Sequence, residues 1–423
     1  MGLIDPGQAP PSPVEVVAHL ALHVGRLLLQ NGADTAEVQE SVTRFAAAFG
    51  CEAHLMVTYE ALLLTAVAGG QFRTKVGYRV PAMNVNLTAV AAVNRLLEEV
   101  EHGRRELAEV RAELERIQHR PAEYGRWIVV VALGLTAASL ARLFGGDWPS
   151  FWVVWLAGSA GMFLRQELGR RGFNLFFIPF AAALFSGIIG GLAVLRGVSG
   201  TPALCLVAPG MIIVPGVPLV NGVQDLMNNH MTVGMARLGL GTLVTAAIAF
   251  GLYVAAMLTG AKIPVDAPLR LLSLPEDALF SALAAVGFLF LFNVPARVAW
   301  ACVVCGVASH TLRTFCMHAG IDVVSGTLLG ALAVGSLAQG FARHFDAPAV
   351  AFAFPGVVAM VPGAFAFRAA IGCIQIVSAG ASAAPALVAE TIALALTCFL
   401  MVAAIAVGIA APVIFTRKQT VIS

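Results

Sequence analysis

Charge is what this sequence has least of. Only 12% of its 423 residues are Asp, Glu, Lys or Arg, against roughly 25% in soluble domains, while 59% are hydrophobic and the mean hydropathy is +0.84. This balance excludes a soluble fold for most of the chain and predicts an integral membrane protein. The 26 basic and 24 acidic side chains leave a net charge of +2, and with no basic stripe there is no nucleic-acid footprint. The pattern GxxxxGK[ST] is absent, which argues against self-contained ATP hydrolysis. The start MGLIDPGQAPPSPVE has an acid and prolines where a secretory signal has a basic region and an apolar run, and Pro6 occupies the Ser/Thr position of a myristoylation signal. Neither a cleaved signal nor a lipid anchor is expected. Cysteine is sparse too: Cys51, Cys205, Cys302, Cys305, Cys316, Cys373 and Cys398 lie mostly in apolar segments. Cys302 and Cys305 form CVVC without the second pair that a zinc site needs, so packing is expected, with no metal and no cofactor.

The charges that exist are concentrated before Arg126. There VEVVAHLALHVGRLLLQ and NGADTAEVQESVTRFAAAFG repeat apolar residues at helical spacing, the second with Asp34 or Thr35 as cap. The stretch CEAHLMVTYEALLLTAVAGGQFRTKVGYRV is β-rich, punctuated by Gly69 and Gly70, and predicts two or three strands. Two further helices follow, over 84–102 and 103–119, the second laced with intrahelical acid–base pairs. The expected organisation is a disordered 1–13, a small cytoplasmic α+β domain over 14–120, a five-helix membrane module over 121–262, a linker over 263–276 and a second five-helix module over 277–423. His19, His23 and His54 have no spacing that supports a metal set or catalysis, and an enzyme is not expected.

After Pro121 come about ten apolar runs near the ~20 residues that a crossing needs. Five lie before the polar link GAKIPVDAPLRLLSLPED and five after it. PGMIIVPG at Pro209 is echoed by PGVVAMVPG at Pro355, each in the fourth run of its set. An odd number of crossings between equivalent helices makes such a duplication an inverted repeat, which is a transporter signature. Basic residues give a weak bias that places the N-terminal domain in the cytoplasm: Arg165, Arg170, Arg171, Arg237, Arg297, Arg343, Arg417 and Lys418 fall inside. Arg142, Arg196, Lys262, Arg270, Arg313 and Arg368 fall outside or buried.

The stretch APGMIIVPGVPLVNGVQD holds Pro209, Pro215 and Pro218 with Gly210, Gly216 and Gly222. In a continuous helix these would cost about 12 kcal/mol, so breaks are expected there and at Pro355, Gly356, Pro362 and Gly363. Irregular backbone at membrane depth must be buried in protein or line a cavity. The ends of broken helices offer amides to a carboxylate and carbonyls to a cation. The competing reading is a re-entrant hinge without a ligand. Asn221, Asp225 and Asn228, with Gln224 nearby, are expected to line one polar face on which Asp225 binds a substrate ammonium or exchanges a proton. The alternative is a helix-end carboxylate paired with Arg237. Arg368 is a candidate for a substrate carboxylate or for snorkelling to the interface; His310, Asp322 and Glu390 are weaker candidates. Gly187 with Gly191, and Gly326 with Gly330, form GxxxG packing patterns.

The run NGADTAEVQESVTRFAAAFG, then VTYEALLLTAVAGGQFRTKVGYRV, NVNLTAVAAVNRL, VPGVPLVNGVQDL and GMAR, together resemble the threonine/serine exporter family, and PGVVAMVPGAFAF is similar to that family's smaller membrane module. The resemblance covers almost the whole chain from Val14. It implies a bacterial inner-membrane exporter with a cytoplasmic N-terminal domain and ten spans, driven by the proton-motive force, with both modules fused in one chain. Related two-protein systems are linked to export of dicarboxylates such as succinate. The family motif falls on Pro215, Gly216, Asn221, Asp225 and Arg237 in the first half, and on Pro362, Gly363 and Arg368 in the second. The sequence departs from it at Asp34, where Glu is usual, and at Tyr59, where Pro is frequent. The expected partners are a small polar substrate, the lipid bilayer and a homo-oligomer. The readings in competition are export of threonine or serine, dicarboxylate export, a membrane enzyme and a gated channel.

Overall fold

A computed structural model describes residues 12–78, 85–261, 270–345 and 349–420. The expectation of disorder over 1–13 falls almost wholly outside these residues, as do positions 262–269 of the link. The chain divides into two units: one comprises the residues up to Pro121 together with Asn228–Val233, the other Ala122–Met227 and Gly234 onward.

In the first unit, α1 (Pro13–Gln30) and α2 (Thr35–Ala48) lead into an antiparallel meander of β1 (Glu52–Val57), β2 (Ala61–Ala68) and β3 (Gln71–Tyr78), and α3 (Leu87–Glu101) and α4 (Leu107–Gln118) follow. Asp34 caps α2 by accepting from the Glu37 amide at 2.8 Å, which satisfies one of the donors that every helix start leaves open. β2 pairs Leu64 with Leu55 on one side and Lys75 on the other. Its alternation turns Leu62, Leu64 and Ala66 into the core beside Leu28, Phe45, Leu97 and Leu114, as a half-buried strand requires. Arg44 forks onto both oxygens of Glu101 at 2.6 Å and ties α2 to α3.

The second unit is helical. Its elements are α5 (Arg126–Leu143), α6 (Trp148–Arg170), α7 (Phe177–Leu195), α8 (Pro202–Met211), α9 (Gly216–Met227), α10 (Met231–Thr259), α11 (Leu274–Leu291), α12 (Ala299–His318), α13 (Val323–Phe345), α14 (Val350–Val357), α15 (Gly363–Ala379) and α16 (Pro385–Thr420). Among the described residues eight helices are long and apolar enough to cross a bilayer, and α8 with α9, bent by 62°, would make a ninth. The expected ten is not reached on that measure. α6 is 23 residues long, but it is rich in Trp, Gly and Ser and ends in the charged run from Arg165 to Arg170. The fourth run of the second set divides into the eight-residue α14, a 3-10 turn over 358–360, and α15. α11 starts at Leu274, inside the expected link.

Small residues set the packing. A Cβ at Gly187 would lie 2.7 Å from Ala255, and one at Gly191 2.9 Å from the Thr259 Cβ, so α7 runs alongside α10 in the same direction. A Cβ at Gly287 would meet the Ala132 carbonyl at 2.8 Å, and Arg142 approaches Glu276 at 3.7 Å, so α11 packs antiparallel on α5. Gly326 and Gly330 face Arg313 and Ser309 on α12. The two GxxxG patterns thus serve different partners.

Candidate functional site

Both halves of the second unit contain the same local device. At Val214-Pro215-Gly216 the Gly216 amide donates to the Val214 carbonyl at 2.8 Å, and at Val361-Pro362-Gly363 the Gly363 amide donates to the Val361 carbonyl at 2.8 Å. Each is a three-residue turn centred on proline. Pro362, at φ −78° and ψ 49°, lies close to the inverse γ-turn. The preceding residues tighten in the same way, Ile213 onto Gly210 at 3.0 Å and Val361 onto Val358 at 3.1 Å. The two turns touch reciprocally: a Cβ on Gly216 would sit 3.1 Å from Val361, and one on Gly363 3.1 Å from Val214. α8 is ten residues long, about 15 Å at 1.5 Å per residue, which is half of what a ~30 Å hydrocarbon layer needs. α9 and α15 both begin at the crossing, and their first amides, the positive ends of two helix dipoles, converge there.

Four of the expected break residues stand elsewhere. Pro209 and Gly210 are inside α8, and Pro355 and Gly356 inside α14. A proline inside a helix frees the carbonyl four residues back. The Cys302 thiol donates to the Ala351 carbonyl at 3.2 Å, and the Cys205 carbonyl packs against Gly190 of α7, where a Cβ would clash with it. Pro218 occupies the first turn of α9, where proline is tolerated. The breaks are therefore at Pro215–Gly216 and Pro362–Gly363.

Of the expected polar face, Asn221, Gln224 and Asp225 are buried on α9, whereas Asn228 lies past the helix end and is exposed. Arg237 Nη1 donates to Asp225 Oδ2 at 2.7 Å, with the two side chains 1% and 0% exposed. Glycine makes this possible: a Cβ on Gly222 would lie 3.1 Å from the Gly234 carbonyl, and one on Gly234 2.8 Å from the Gly222 carbonyl. α9 and α10 thus cross closely enough to bring Arg237 onto the acid. Gln224 Oε1 is buried and accepts no hydrogen bond among the described residues. Arg368 reaches Glu390 at 3.7 Å, and Asp322 is an exposed cap that accepts from the amides of Val324 and Ser325.

His310, a weaker candidate on sequence, is at the centre of a second buried cluster. Its Nδ1 is 2.9 Å from Asp277 Oδ2, which also accepts from Thr314 Oγ1 at 2.7 Å, and Ser281 Oγ donates to Asp277 Oδ1 at 3.4 Å. Arg313 donates to His310 Nε2. Arginine has no acceptor, so the ring proton sits on Nδ1, pointing at Asp277, and a neutral imidazole bridges a cation and an anion. Arg313 Nε is buried without a hydrogen-bond partner among the described residues. Asp277 and Arg313 were missed by sequence reasoning because LPED reads as the end of a polar link and Arg313 was counted only among the basic residues that fall outside or buried. The signal was present in HTLRT, which sets His310, Arg313 and Thr314 on one helical face by i, i+3 and i+4 spacing.

The two clusters occupy opposite ends of the bundle. Arg237 is near the start of α10, a helix of 29 residues that extends about 44 Å. Asp277 opens α11 beside Arg142 at the end of α5, which is the end reached by α7 and α10. The proline crossing lies between them.

Residues 19–259 match a family model described as "Putative threonine/serine exporter", and residues 277–415 match one described as "Threonine/Serine exporter, ThrE". An Escherichia coli protein named "Probable succinate transporter subunit YjjP" is 30% identical over 251 residues, 58% of this chain and 96% of that protein. A Mycobacterium tuberculosis protein named "Probable threonine/serine exporter" is 28% identical over 372 residues, 84% of this chain and 69% of that protein. No solved structure matches.

Proposed function

We propose, from the premise that this chain belongs to the threonine/serine exporter family, that it is a secondary carrier exporting threonine, serine or a similar small polar amino acid across the bacterial inner membrane. The observation that carries this reading is the reciprocal pair of Pro–Gly turns, with a buried acid site toward each end of the bundle. Two half-helix starts meeting in the middle of a bilayer suit a substrate carboxylate. Equivalent turns packed on each other support a five-plus-five inverted repeat of ten crossings, because contact across a two-fold axis is reciprocal. The N-terminal unit is assigned to the cytoplasm from the distribution of basic residues.

Export is driven by protons, and Asp277 with His310 carries them. A carboxylate hydrogen-bonded to an imidazole and a hydroxyl can gain or lose a proton without leaving a bare charge, which suits a relay in a dry site. Asp225 instead holds α9 to α10 through Arg237. One proton moving through 100 mV supplies about 2.3 kcal/mol, enough for somewhat more than a tenfold substrate gradient.

Dicarboxylate export is the second reading. It is favoured by the succinate name of the Escherichia coli relative and by the buried Nε of Arg313, and weakened because Arg237 and Arg368 already face carboxylates. Counterflow in proteoliposomes decides between the two. Uptake of labelled threonine or serine, and not succinate, is expected; succinate uptake alone moves the protein to the dicarboxylate reading. No counterflow with any of the three removes the carrier assignment.

A further inference from the structure

The first unit contains a cavity of about 320 Å³, lined on one side by His19, His23 and Arg26 of α1 and on the other by Arg111, Glu115 and Gln118 of α4, with Leu62 and Gly77 beneath. Each triplet has i, i+4, i+7 spacing, so two helices turn a polar stripe toward the same space. Gln118 Oε1 is shared by His23 at 2.8 Å and Arg26 at 2.9 Å, Arg111 and Glu115 stand 3.9 Å apart and are both largely exposed, and His119 also lines the space. Arg26 Nε is buried and donates to nothing among the described residues. Two guanidinium groups against one carboxylate leave the lining one positive charge in excess. The volume is at the small end of ligand pockets, which run from about 300 to 1,000 Å³.

We propose that this cavity binds a small anionic metabolite, its carboxylate or phosphate group held by the guanidinium groups of Arg26 and Arg111 and the rest of the molecule by the imidazoles. Guanidinium groups grip planar oxyanions in paired hydrogen bonds, and the site gives this chain a regulatory input separate from transport. The histidines add a proton linkage. His19 is held below the ordinary histidine range by burial and then by Lys75, Arg111 and Arg26, with Glu15 opposing. His23 is held below it by burial and also by Arg26 and His19, with Gln118 and Glu115 opposing. A bound anion offsets those cations and raises both pKa values, so the rings take up protons on binding and affinity increases as pH falls.

The test is calorimetric titration of the intact detergent-solubilised protein with succinate, inorganic phosphate and threonine, in wild type and in an Asp277→Asn background that removes the proposed proton carrier. One of the two anions is expected to bind in both backgrounds, more tightly at pH 6 than at pH 8. Replacing Arg26 and Arg111 with Gln should weaken it by about tenfold or more, with Lys at both positions restoring part of the affinity and confirming an intact fold. Changing His19 and His23 to Gln should flatten the pH dependence. Succinate binding assigns a carboxylate ligand and phosphate binding a phosphate one. The proposal is overturned by binding of neither anion, by unchanged affinity in the double Gln variant, by loss of binding in Asp277→Asn alone, or by threonine binding that the double Gln variant weakens as much as anion binding.

Discussion

The Asp225–Arg237 and Asp277–His310–Arg313 sites bury the same kinds of charge at opposite ends of one bundle, and they hold them differently. In the first, a guanidinium closes directly on a carboxylate at 2.7 Å and two glycines press the helices together around it. In the second, an imidazole separates acid from base, and a hydroxyl at 2.7 Å holds the acid from another side. A direct pair leaves no group between the acid and its cation. A bridged one places an imidazole, with a nitrogen toward each partner, between the acid and its cation, so that a proton has a path along the cluster. Burial of an acid in a membrane is therefore not enough to identify a proton carrier; what stands between the acid and its cation decides.

The largest expected effect is on the direct pair. Arg237→Met leaves Asp225 buried beside lost charge, and removing one partner of a buried pair costs about 3–5 kcal/mol. Thermal unfolding in detergent should show a severe loss. Replacing both partners, Asp225→Leu with Arg237→Met, should recover most of it, because an apolar pair of similar volume is often neutral. A stable double variant that no longer transports would give Asp225 a role in transport and erase the contrast.

Asp277→Asn should act the other way, on transport rather than on stability. Asparagine keeps the hydrogen bonds to His310 and Thr314 but cannot take the proton. Export driven by an imposed pH gradient should fall by about a hundredfold, at the low end of what a positioned acid–base group contributes. Substrate counterflow, which needs no net proton movement, should survive. Equal loss of both activities would show that Asp277 binds substrate instead. Gradient-driven export left at wild-type rate would return the proton to the Asp225 end.

The crossing between the sites offers a sharper test of equivalence. Gly216→Val and Gly363→Val each place a side chain about where the other half's valine stands, 3.1 Å away, and overpacking of this kind costs about 1–3 kcal/mol. The two losses should be similar, with Val361→Ala relieving the first and Val214→Ala the second. Unequal losses, or relief by the wrong partner, would mean that the turns share a sequence and not a role.

Much of this arrangement was legible in the residues. PGMIIVPG and PGVVAMVPG announced two broken helices, since proline and glycine act through the backbone and need no partner to do so. Which proline made the break was not legible. Pro355 fits inside its helix because the Cys302 thiol, distant in sequence, donates to the freed carbonyl, and Pro209 leaves a carbonyl packed against Gly190, where only glycine gives it room. The Asp225–Arg237 pair was anticipated as one of two readings because both lie in a single contiguous motif. Asp277 was lost because His310 and Thr314 are 33 and 37 residues away, and LPED at the end of a polar stretch looks like a link until the helix is seen to begin at Leu274. In the first unit, the i, i+4 histidines of α1 offered no spacing for a metal set or catalysis, and only the fold sets them opposite α4.

The smallest expected effect belongs to the groups that let a proline remain inside α14. Ser309 Oγ donates to the Gly356 carbonyl at 2.6 Å, and the Cys302 thiol meets the Ala351 carbonyl. Ser309→Ala should cost about 1 kcal/mol, the net contribution of one buried hydrogen bond, and Cys302→Ala less, because a thiol is a weak donor. If these contacts only accommodate Pro355, then Pro355→Ala, which restores an amide to fill the Ala351 carbonyl, should make the loss of Cys302 harmless. Thermal midpoints of the two single variants and the double measure this directly. A Cys302→Ala loss that persists in the Pro355→Ala background would mean that the thiol serves packing alone, and that the second half tolerates its proline by another route than the one seen in the first.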